Sequence, residues 1–167
     1  EIVIYTDKQG TQSVANKTIT VYNSIKANDM IRGWNSPYDY EAEFLDKDGH
    51  VVANATMEIK VNGKTYTVTT DNKGIAKLTT SKLPIGKYDV EITNTLTGEV
   101  LNHTTTIVKR LIGNKDITMD FVDGTSFVVR AIGDDGKPVG AGEVVKISAN
   151  GVDYARVTNS EGYAILK

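Results

Sequence analysis

The sequence predicts an all-β protein, and three observations support this prediction. Apolar and polar residues alternate along most segments, as they do in strands that bury one face. Tight turns, marked by Asn-Gly pairs and by acidic runs that end in Gly, separate these segments. No window shows apolar residues at i, i+3, i+4 and i+7 over three turns of a helix. We therefore expect short strands joined by tight turns.

The strands can be assigned in chain order from the alternation. Each predicted strand presents its apolar residues to the core and its polar residues to solvent. The residues predicted to face inward are Tyr40, Ala42 and Phe44, then Met57, Ile59 and Val61, then Tyr66 and Val68, then Tyr88, Val90 and Ile92, then Phe127 and Val129, and finally Val145 and Ile147.

The turns between these strands have recognisable chemistry. Asn62-Gly63 and Asn150-Gly151 predict two-residue hairpins of type I′, because such turns need positive φ at both central residues. The runs "DKDG" (46–49) and "GDDG" (133–136) predict turns that an Asp side chain caps and a Gly closes. Strands thus recur about every ten residues, the spacing of an Ig-like β-sandwich.

The chain also repeats itself. The run "NGKTYTVTTDNKG" begins at position 62 and "NGVDYARVTNSEG" begins at 150, which is 88 positions later (150 minus 62). "FLDKDGHVV" (44–52) matches "AIGDDGKPV" (131–139), and "VANKTITV" (14–21) matches "LNHTTTIV" (101–108). The repeat predicts tandem Ig-like β-sandwiches. Residues 1–26 would be the C-terminal strands of a preceding repeat, 27–110 a complete repeat, and 111–167 the N-terminal part of a following one.

Composition narrows the classes of partner. The 167 residues carry a net charge of −2, which does not favour nucleic acid or an anionic membrane as a partner. There is no Cys, so disulfides and thiolate metal sites are excluded. No apolar run approaches the ~18 residues of a membrane span. Because the sequence opens with Glu1 and shows no signal peptide, we expect a mature fragment or an excerpt of a longer chain.

The order of these motifs resembles a known family. An acidic turn, an apolar strand, an Asn-Gly hairpin, "TTDNKG" (69–74) and "LPIGKYDVEIT" (83–93) resemble the bacterial-type Ig-like repeats of large surface proteins. The run 134–167 is the most typical, and the pattern is similar above all to adhesin-like surface proteins of methanogenic archaea. The resemblance implies sandwiches of about seven strands on the cell exterior. It implies no catalytic residue and no cofactor, and it implies neighbouring repeats or chains, or cell-surface glycans or proteins, as partners.

Asp46, Asp48, Asp134 and Asp135 in the two acidic turns are weak candidates for calcium ligands. Calcium prefers several oxygen ligands on a tight loop, but the further spaced Asp and the distal Glu of an EF-hand loop are missing here. Ordinary turn capping is the favoured interpretation.

Trp34 and Tyr38, in "GWNSPYDY" (33–40), are candidates for contact with a glycan. Exposed aromatic rings can stack on sugars, although most aromatic residues serve packing, and Tyr40 in the same run falls on an inward position. A carbohydrate-binding module is therefore the alternative function.

Asn16, Asn54 and Asn102 each open an Asn-X-Thr sequon and are candidates for N-glycosylation. Chance accounts for three sequons in a chain of this composition. Catalysis is not predicted, because His50 and His103 pair with no Ser or Asp at a recognised spacing. An internal Lys–Asn cross-link is not favoured either, since the inward positions hold no Lys.

The predicted function is therefore a non-enzymatic structural or adhesive module of a repetitive extracellular surface protein. Residues 1–26 and 111–167 are nearly complementary parts of one sandwich, so the strands at the N-terminus of one chain are predicted to complete the C-terminal part of another, in a head-to-tail filament. A sequence cut from a longer array is the other explanation of the same pattern.

Overall fold

The computed structural model describes residues 2–16, 18, 21–118, 120 and 124–167. In these ranges the chain forms strands and no helix, which confirms the all-β prediction. Accordingly, the described residues contain no helical segment that could cross a bilayer. The strands are β1 (Ile2–Thr6), β2 (Gln12–Asn16), β3 (Ile25–Ala27), β4 (Met30–Gly33), β5 (Tyr40–Phe44), β6 (Thr56–Val61), β7 (Lys64–Thr69), β8 (Ile75–Leu78), β9 (Gly86–Thr93), β10 (Val100–Val108), β11 (Leu111–Ile112), β12 (Phe127–Ala131), β13 (Val144–Ala149), β14 (Val152–Val157) and β15 (Tyr163–Leu166).

Residues 25–108 form a β-sandwich, here called the large sandwich. One sheet has five strands in the order β4-β10-β9-β6-β7, and the other has three in the order β3-β5-β8. Neighbouring strands are antiparallel, except that β4 and β10 run parallel. The first strands of the unit therefore divide between the two sheets, and β4 lies beside the last strand.

The core of the large sandwich contains residues of both sheets. Tyr40 and Phe44 of the three-stranded sheet and Met57 and Ile59 of the five-stranded sheet are at most 1% exposed and belong to one cluster. These are inward positions of the predicted alternation, so the prediction is confirmed here. Burying such side chains stabilises a fold by roughly 1.5–3 kcal/mol each.

The strands from β11 to β15 form a smaller assembly, here called the small unit. It has a three-stranded sheet in the order β11-β12-β15 and a separate hairpin of β13 and β14. In the described part of the chain, its core cluster contains four buried residues, Val129, Ala131, Val145 and Ala164. Among the described residues, β13 pairs only with β14, whereas β6 of the large sandwich pairs with β7 on one side and β9 on the other. One edge of β13 is therefore open.

The Asn-Gly hairpins form as the sequence predicts. Asn62 and Gly63 have φ of 51° and 73°, and Asn150 and Gly151 have φ of 52° and 76°. Positive φ at both positions defines the type I′ turn.

The alternation places Arg156 at an inward position of the second copy. This predicts a half-open core there, or a bulge or a position at the strand end that lets the side chain reach solvent. The ladder between β13 and β14 runs without a bulge, with Val145 opposite Arg156, so a bulge is wrong. Arg156 lies one residue before the end of β14, is half-buried, and its guanidinium stacks 5.4 Å from the ring centroid of Tyr154. The inward face of β14 is thus more open than that of β7.

Candidate functional site

Trp34 and Tyr38 lie on a loop that leaves the edge strand β4. The loop folds back at once, because the Trp34 N–H donates to the Val108 carbonyl (2.9 Å) and Asn35 adopts a positive φ of 58°. Trp34 is 51% exposed and Tyr38 is 52% exposed, whereas Tyr40 is 1% exposed. Two of the three aromatic residues in this run are therefore accessible, and the third belongs to the core.

The base of this loop is held by buried polar groups. Ser36 is fully buried, and its Oγ accepts the Tyr38 N–H (3.2 Å). The buried Arg32 donates from Nη1 to the Tyr38 carbonyl. Beside Tyr38 lies a depression of about 350 Å³ whose lining includes the carboxylates of Asp39 and Glu41. An aromatic ring next to acidic hydrogen-bond acceptors is an arrangement that suits a polyhydroxy ligand.

In the acidic turn 46–49, the carboxylate of the first residue accepts hydrogen bonds from the backbone of the turn itself. Asp46 Oδ1 accepts the N–H groups of Asp48 (2.8 Å) and His50 (2.9 Å). These bonds, with that from His50 as the largest cause, lower the pKa of Asp46. The Asp48 carboxylate lies 2.8 Å from Lys47 Nζ. Among the described residues, Asp46, Asp48 and His50 form the only group of three or more such side chains whose ligand atoms lie close enough for one ion.

The same geometry recurs in three other turns, and one of them has no carboxylate. Asp7 and Asp71 each accept the N–H groups two and four residues ahead, as Asp46 does. Asn159 accepts the N–H groups of Glu161 (3.0 Å) and Tyr163 (2.9 Å) in the same way. Because a neutral amide forms the same turn, capping accounts for the geometry without an ion.

In the second acidic turn the two carboxylates have different roles. Asp134 accepts a hydrogen bond from Arg110 Nη2, and Asp135 Oδ1 accepts the Lys137 N–H (3.0 Å). A guanidinium, 24 residues away in sequence, thus already neutralises Asp134. No local pattern in the sequence indicated this pairing.

All three sequon asparagines are exposed. Asn54 has a positive φ of 54°, and its N–H donates to the Thr70 carbonyl (3.0 Å). Asn102 lies in the middle of β10 opposite Glu91, and Asn16 ends β2 opposite Ile2. Lys17, the middle residue of the first sequon, lies outside the described residues.

Sequence reasoning also missed an exposed polar depression on the five-stranded sheet. It has a volume of about 730 Å³ and contains the pair Asp29–His103, whose Oδ1 and Nδ1 atoms are 3.3 Å apart. Asp29 Oδ1 also accepts the Thr104 N–H (2.7 Å), and this bond is the largest cause of its lowered pKa. Asp29 is therefore engaged in holding β10. The pair is 74 residues apart in sequence, so no local signal predicts it.

Two apolar surfaces lie outside the cores. The β1–β2 hairpin exposes its large apolar side chains on both faces, with Ile2, Ile4 and Val14 on one and Val3 and Tyr5 on the other, at 57–68% exposure. A cavity of about 500 Å³ in the small unit is lined by Phe127, Ile147, Tyr154 and Leu166, among others. It lies along the hairpin that contains the open edge of β13.

An internal Lys–Asn cross-link would need a buried Lys beside an Asn. No described Lys is buried in either unit. The fully buried Asn94 donates from its amide to the Ser24 Oγ (3.0 Å) and to the Leu45 carbonyl (2.8 Å). The environment of Asn94 is thus made of neutral hydrogen-bond partners.

Comparison with known proteins gives one family and two solved structures. The family model SpaA, described as a prealbumin-like fold domain, matches residues 39–125, which is more than half of the chain. No curated protein matches the sequence.

Both similar solved structures are bacterial adhesins. One is described as a Ca²⁺-stabilized adhesin that helps an Antarctic bacterium reach out and bind ice. It is 16% identical, with a TM-score of 0.33, over 98% of this chain and 46% of that chain. The other is a 1.5-MDa bacterial ice-binding adhesin described for host cell surface retention. It is 17% identical, with a TM-score of 0.32, over 97% of this chain and 60% of that chain. The chain thus spans about half the length of these structures.

Proposed function

The chain belongs to the SpaA family of prealbumin-like fold domains, and on that premise we propose that it is a non-enzymatic structural and adhesive module of a repetitive extracellular surface protein. In this role the chain acts as a stalk that holds a distal binding region away from the cell. Residues 27–110 are one repeat of the stalk, and 1–26 and 111–167 belong to the repeats before and after it. An origin in a methanogenic archaeon stays a prediction.

One observation carries the stalk proposal. β10 ends at Val108 and β11 begins at Leu111, so only two residues separate the large sandwich from the next unit. Units joined by so short a connection extend the reach of a chain with each copy. A chain whose domains moved independently would have a longer linker.

Pulling on single molecules of the 167-residue chain tests the stalk proposal. Unfolding of the 84 residues from 25 to 108 should appear as one force peak. The gain in contour length should be roughly 280–300 Å less the distance between the two ends of the folded unit. A chain that lengthens smoothly, without a peak, would contradict a stalk.

A carbohydrate-binding module is the second candidate. The exposed Trp34 and Tyr38 favour it, and Tyr38 lies beside the acidic depression. A glycan-array screen of the chain separates the two functions. Specific binding that is lost in Trp34→Ala, but kept in the control Tyr5→Ala at another exposed aromatic residue, would favour the carbohydrate module. The stalk proposal expects no specific glycan signal from any of the three proteins.

The stalk also assembles, in this proposal, by strand donation. The β1–β2 hairpin of one chain would pair with the open edge of β13 in another chain and cover its apolar cavity. Two observations support this. The hairpin is apolar on both faces, and the run 14–21 that includes the end of β2 resembles 101–108 in β10, the strand beside β9 in the complete sandwich. Because donor and acceptor surfaces differ, the contact is heterologous and builds an open-ended filament.

Light scattering over a range of concentrations tests strand donation. The proposal expects a ladder of masses above the 18.2 kDa of the monomer. Ile4→Lys, in β1, should reduce the ladder, whereas Val100→Lys, at a similarly exposed position on β10, should leave it unchanged. A monomer at every concentration would exclude donation between chains.

A further inference from the structure

Arg110 lies between the large sandwich and the small unit and binds both. Its Nε donates to the Trp34 carbonyl (2.7 Å) in the large sandwich. Its Nη1 donates to the Ile132 carbonyl (3.3 Å) and its Nη2 to the Asp134 carboxylate, both in the small unit. The Arg110 carbonyl accepts the Ile132 N–H (2.7 Å). Side chain and backbone of one residue thus hold the acidic turn of the small unit against the end of the large sandwich.

The two backbones touch at this place because glycines leave room. The Gly33 N–H donates to the Asp134 carbonyl (3.2 Å) across the junction. A Cβ on Gly136 would lie 2.7 Å from Ile31 Cγ2 and 2.9 Å from the Arg32 nitrogen. A Cβ on Gly33 would lie 2.5 Å from the Gly133 carbonyl oxygen. No side chain fits at either position without moving one unit away from the other.

We propose that Arg110, with the glycine contact beside it, locks the two units into one fixed orientation, so that the junction is a rigid joint and not a flexible linker. The planar guanidinium donates from three nitrogens to three acceptors in different directions, and this geometry fixes rotation as well as distance. The joint is independent of the proposed function, because a stalk and a glycan-binding module could both use it.

The acidic turn of the large sandwich contacts the chain before it in a related way. A Cβ on Gly49 would lie 3.6 Å from the Tyr22 ring, and the Leu45 N–H, just before the turn, donates to the Ser24 carbonyl (2.8 Å). The acidic turns that follow β5 and β12 therefore each face the segment that precedes their unit. At the Gly49 turn an aromatic ring replaces the guanidinium, so the lock assigned to Arg110 is specific to the second junction.

Distance measurement between two spin labels tests the joint. The chain has no Cys, so Thr67→Cys on β7 and Val152→Cys on β14, both exposed, place one label on each unit. The lock predicts one narrow distance distribution. Arg110→Ala should give roughly twice that width, because the contact between the units is then small and relative motion is expected across a small interface. If Arg110→Ala impairs folding in circular dichroism, Arg110→Lys, which keeps the charge but loses the planar fork, should still widen the distribution.

Two matched pairs of variants separate the joint from general damage. Asp134→Ala removes a partner of Arg110 and should widen the distribution, whereas Asp135→Ala removes only a cap of the same turn and should not. Gly136→Ala and Gly63→Ala both place Ala at positive φ (74° and 73°), but only Gly136→Ala meets the other unit. A broad distribution in the parent chain, or equal widths in the parent and Arg110→Ala, would overturn the lock. A distribution that widens when a chelator is added would overturn it too, because a bound ion would then hold the joint.

Discussion

At the scale of single residues, two buried polar side chains of the large sandwich have atoms without a hydrogen-bond partner in the ranges that the structure describes, and these atoms lower its stability. Arg32 is 1% exposed, and its Nε and Nη2 have no hydrogen-bond partner among the described residues. Burial lowers its pKa, while the charge of Asp39 acts in the opposite direction. The Tyr40 hydroxyl is also buried without a partner in the described part of the chain. A buried polar group without a partner destabilises a fold by about 1–3 kcal/mol.

Tyr40→Phe should reduce the loss of stability that the fold suffers at alkaline pH. Burial, with a smaller effect from the charge of Asp29, raises the pKa of Tyr40 from 10.0 to about 12. Because the pKa is raised in the folded state, the stabilisation is present below pH 10 and is lost as the pH rises from 10 towards 12. The loss is at most about 2–3 kcal/mol. Urea unfolding at pH 8 and pH 11 should show a smaller loss of stability in Tyr40→Phe than in the parent. Tyr38→Phe, at an exposed tyrosine, should behave as the parent, and equal losses in all three would contradict the prediction.

Arg32→Met should leave the stability at neutral pH unchanged or raise it. Replacement of a buried, poorly paired ion by an apolar side chain of similar length is often neutral or stabilising by about 1–4 kcal/mol. Urea unfolding monitored by circular dichroism measures the change, and Arg130→Met, at a partly exposed arginine, is the control. A loss above about 2 kcal/mol, specific to Arg32→Met, would show that the bond to the Tyr38 carbonyl outweighs the burial of charge.

At the scale of elements, the tight turns depend on an acceptor oxygen and not on charge. Asp71 and Asn159 occupy corresponding places 88 positions apart and make the same two bonds to the backbone. The amide in one unit and the carboxylate in the other are therefore interchangeable in geometry. Only the carboxylate adds a pH dependence.

Asp71→Ala should lower the urea midpoint of the large sandwich, and Asp71→Asn should keep it at pH 7. Backbone hydrogen bonds, that from Ile75 first, lower the pKa of Asp71. A lowered pKa means that the stabilisation is present above the unfolded pKa and is lost as the pH falls through the folded one. Asp71→Asn should thus be less sensitive to acid than the parent. If Asp71→Ala and Asp71→Asn lose the same stability, the turn needs the charge and the interpretation is wrong.

The local features of these elements could be predicted from the sequence, and the contacts between distant residues could not. Alternation identified the inward face from Tyr40 to Ile92, and Asn-Gly identified both hairpins, because each signal lies within a few residues. The buried Arg32 was missed because a charged residue is not expected on an inward position. The pairs Asp29–His103 and Arg110–Asp134 depend on which strands the fold places side by side. Trp34 and Tyr38 are both exposed, and their role as contacts for a glycan stays a prediction.

At the scale of the whole molecule, the two units differ in the size of their cores. Among the described residues, the large sandwich buries a cluster of twelve and the small unit a cluster of four. The small unit therefore gains less stabilisation from burying apolar surface. Within the part of the chain that the structure describes, the open edge of β13 makes no backbone hydrogen bonds that would add to its stability. The small unit should therefore unfold before the large one.

Thermal or urea unfolding of the chain should show two transitions. Val129→Ala should lower the midpoint of the first transition only, and Ile59→Ala that of the second only. For Ile59→Ala the free energy of unfolding of the large sandwich should fall by about 2–5 kcal/mol, as for other isoleucines truncated in a core. Scanning calorimetry of both variants measures the two shifts separately. A single transition that both variants lower would mean that the joint at Arg110 couples the units into one cooperative body.

The parallel pairing of β4 with β10 determines how the large sandwich carries load. Tension that enters the unit ahead of β3 and leaves after β10 pulls these two strands in opposite directions along their common axis. The rungs from Met30–Thr105 to Gly33–Val108 are then sheared together. In an antiparallel hairpin pulled from its two ends, by contrast, the rungs open one after another, each bearing the whole force alone. β4 and β10 thus form a shear clamp, and its strength depends on the number of rungs that must break at the same moment.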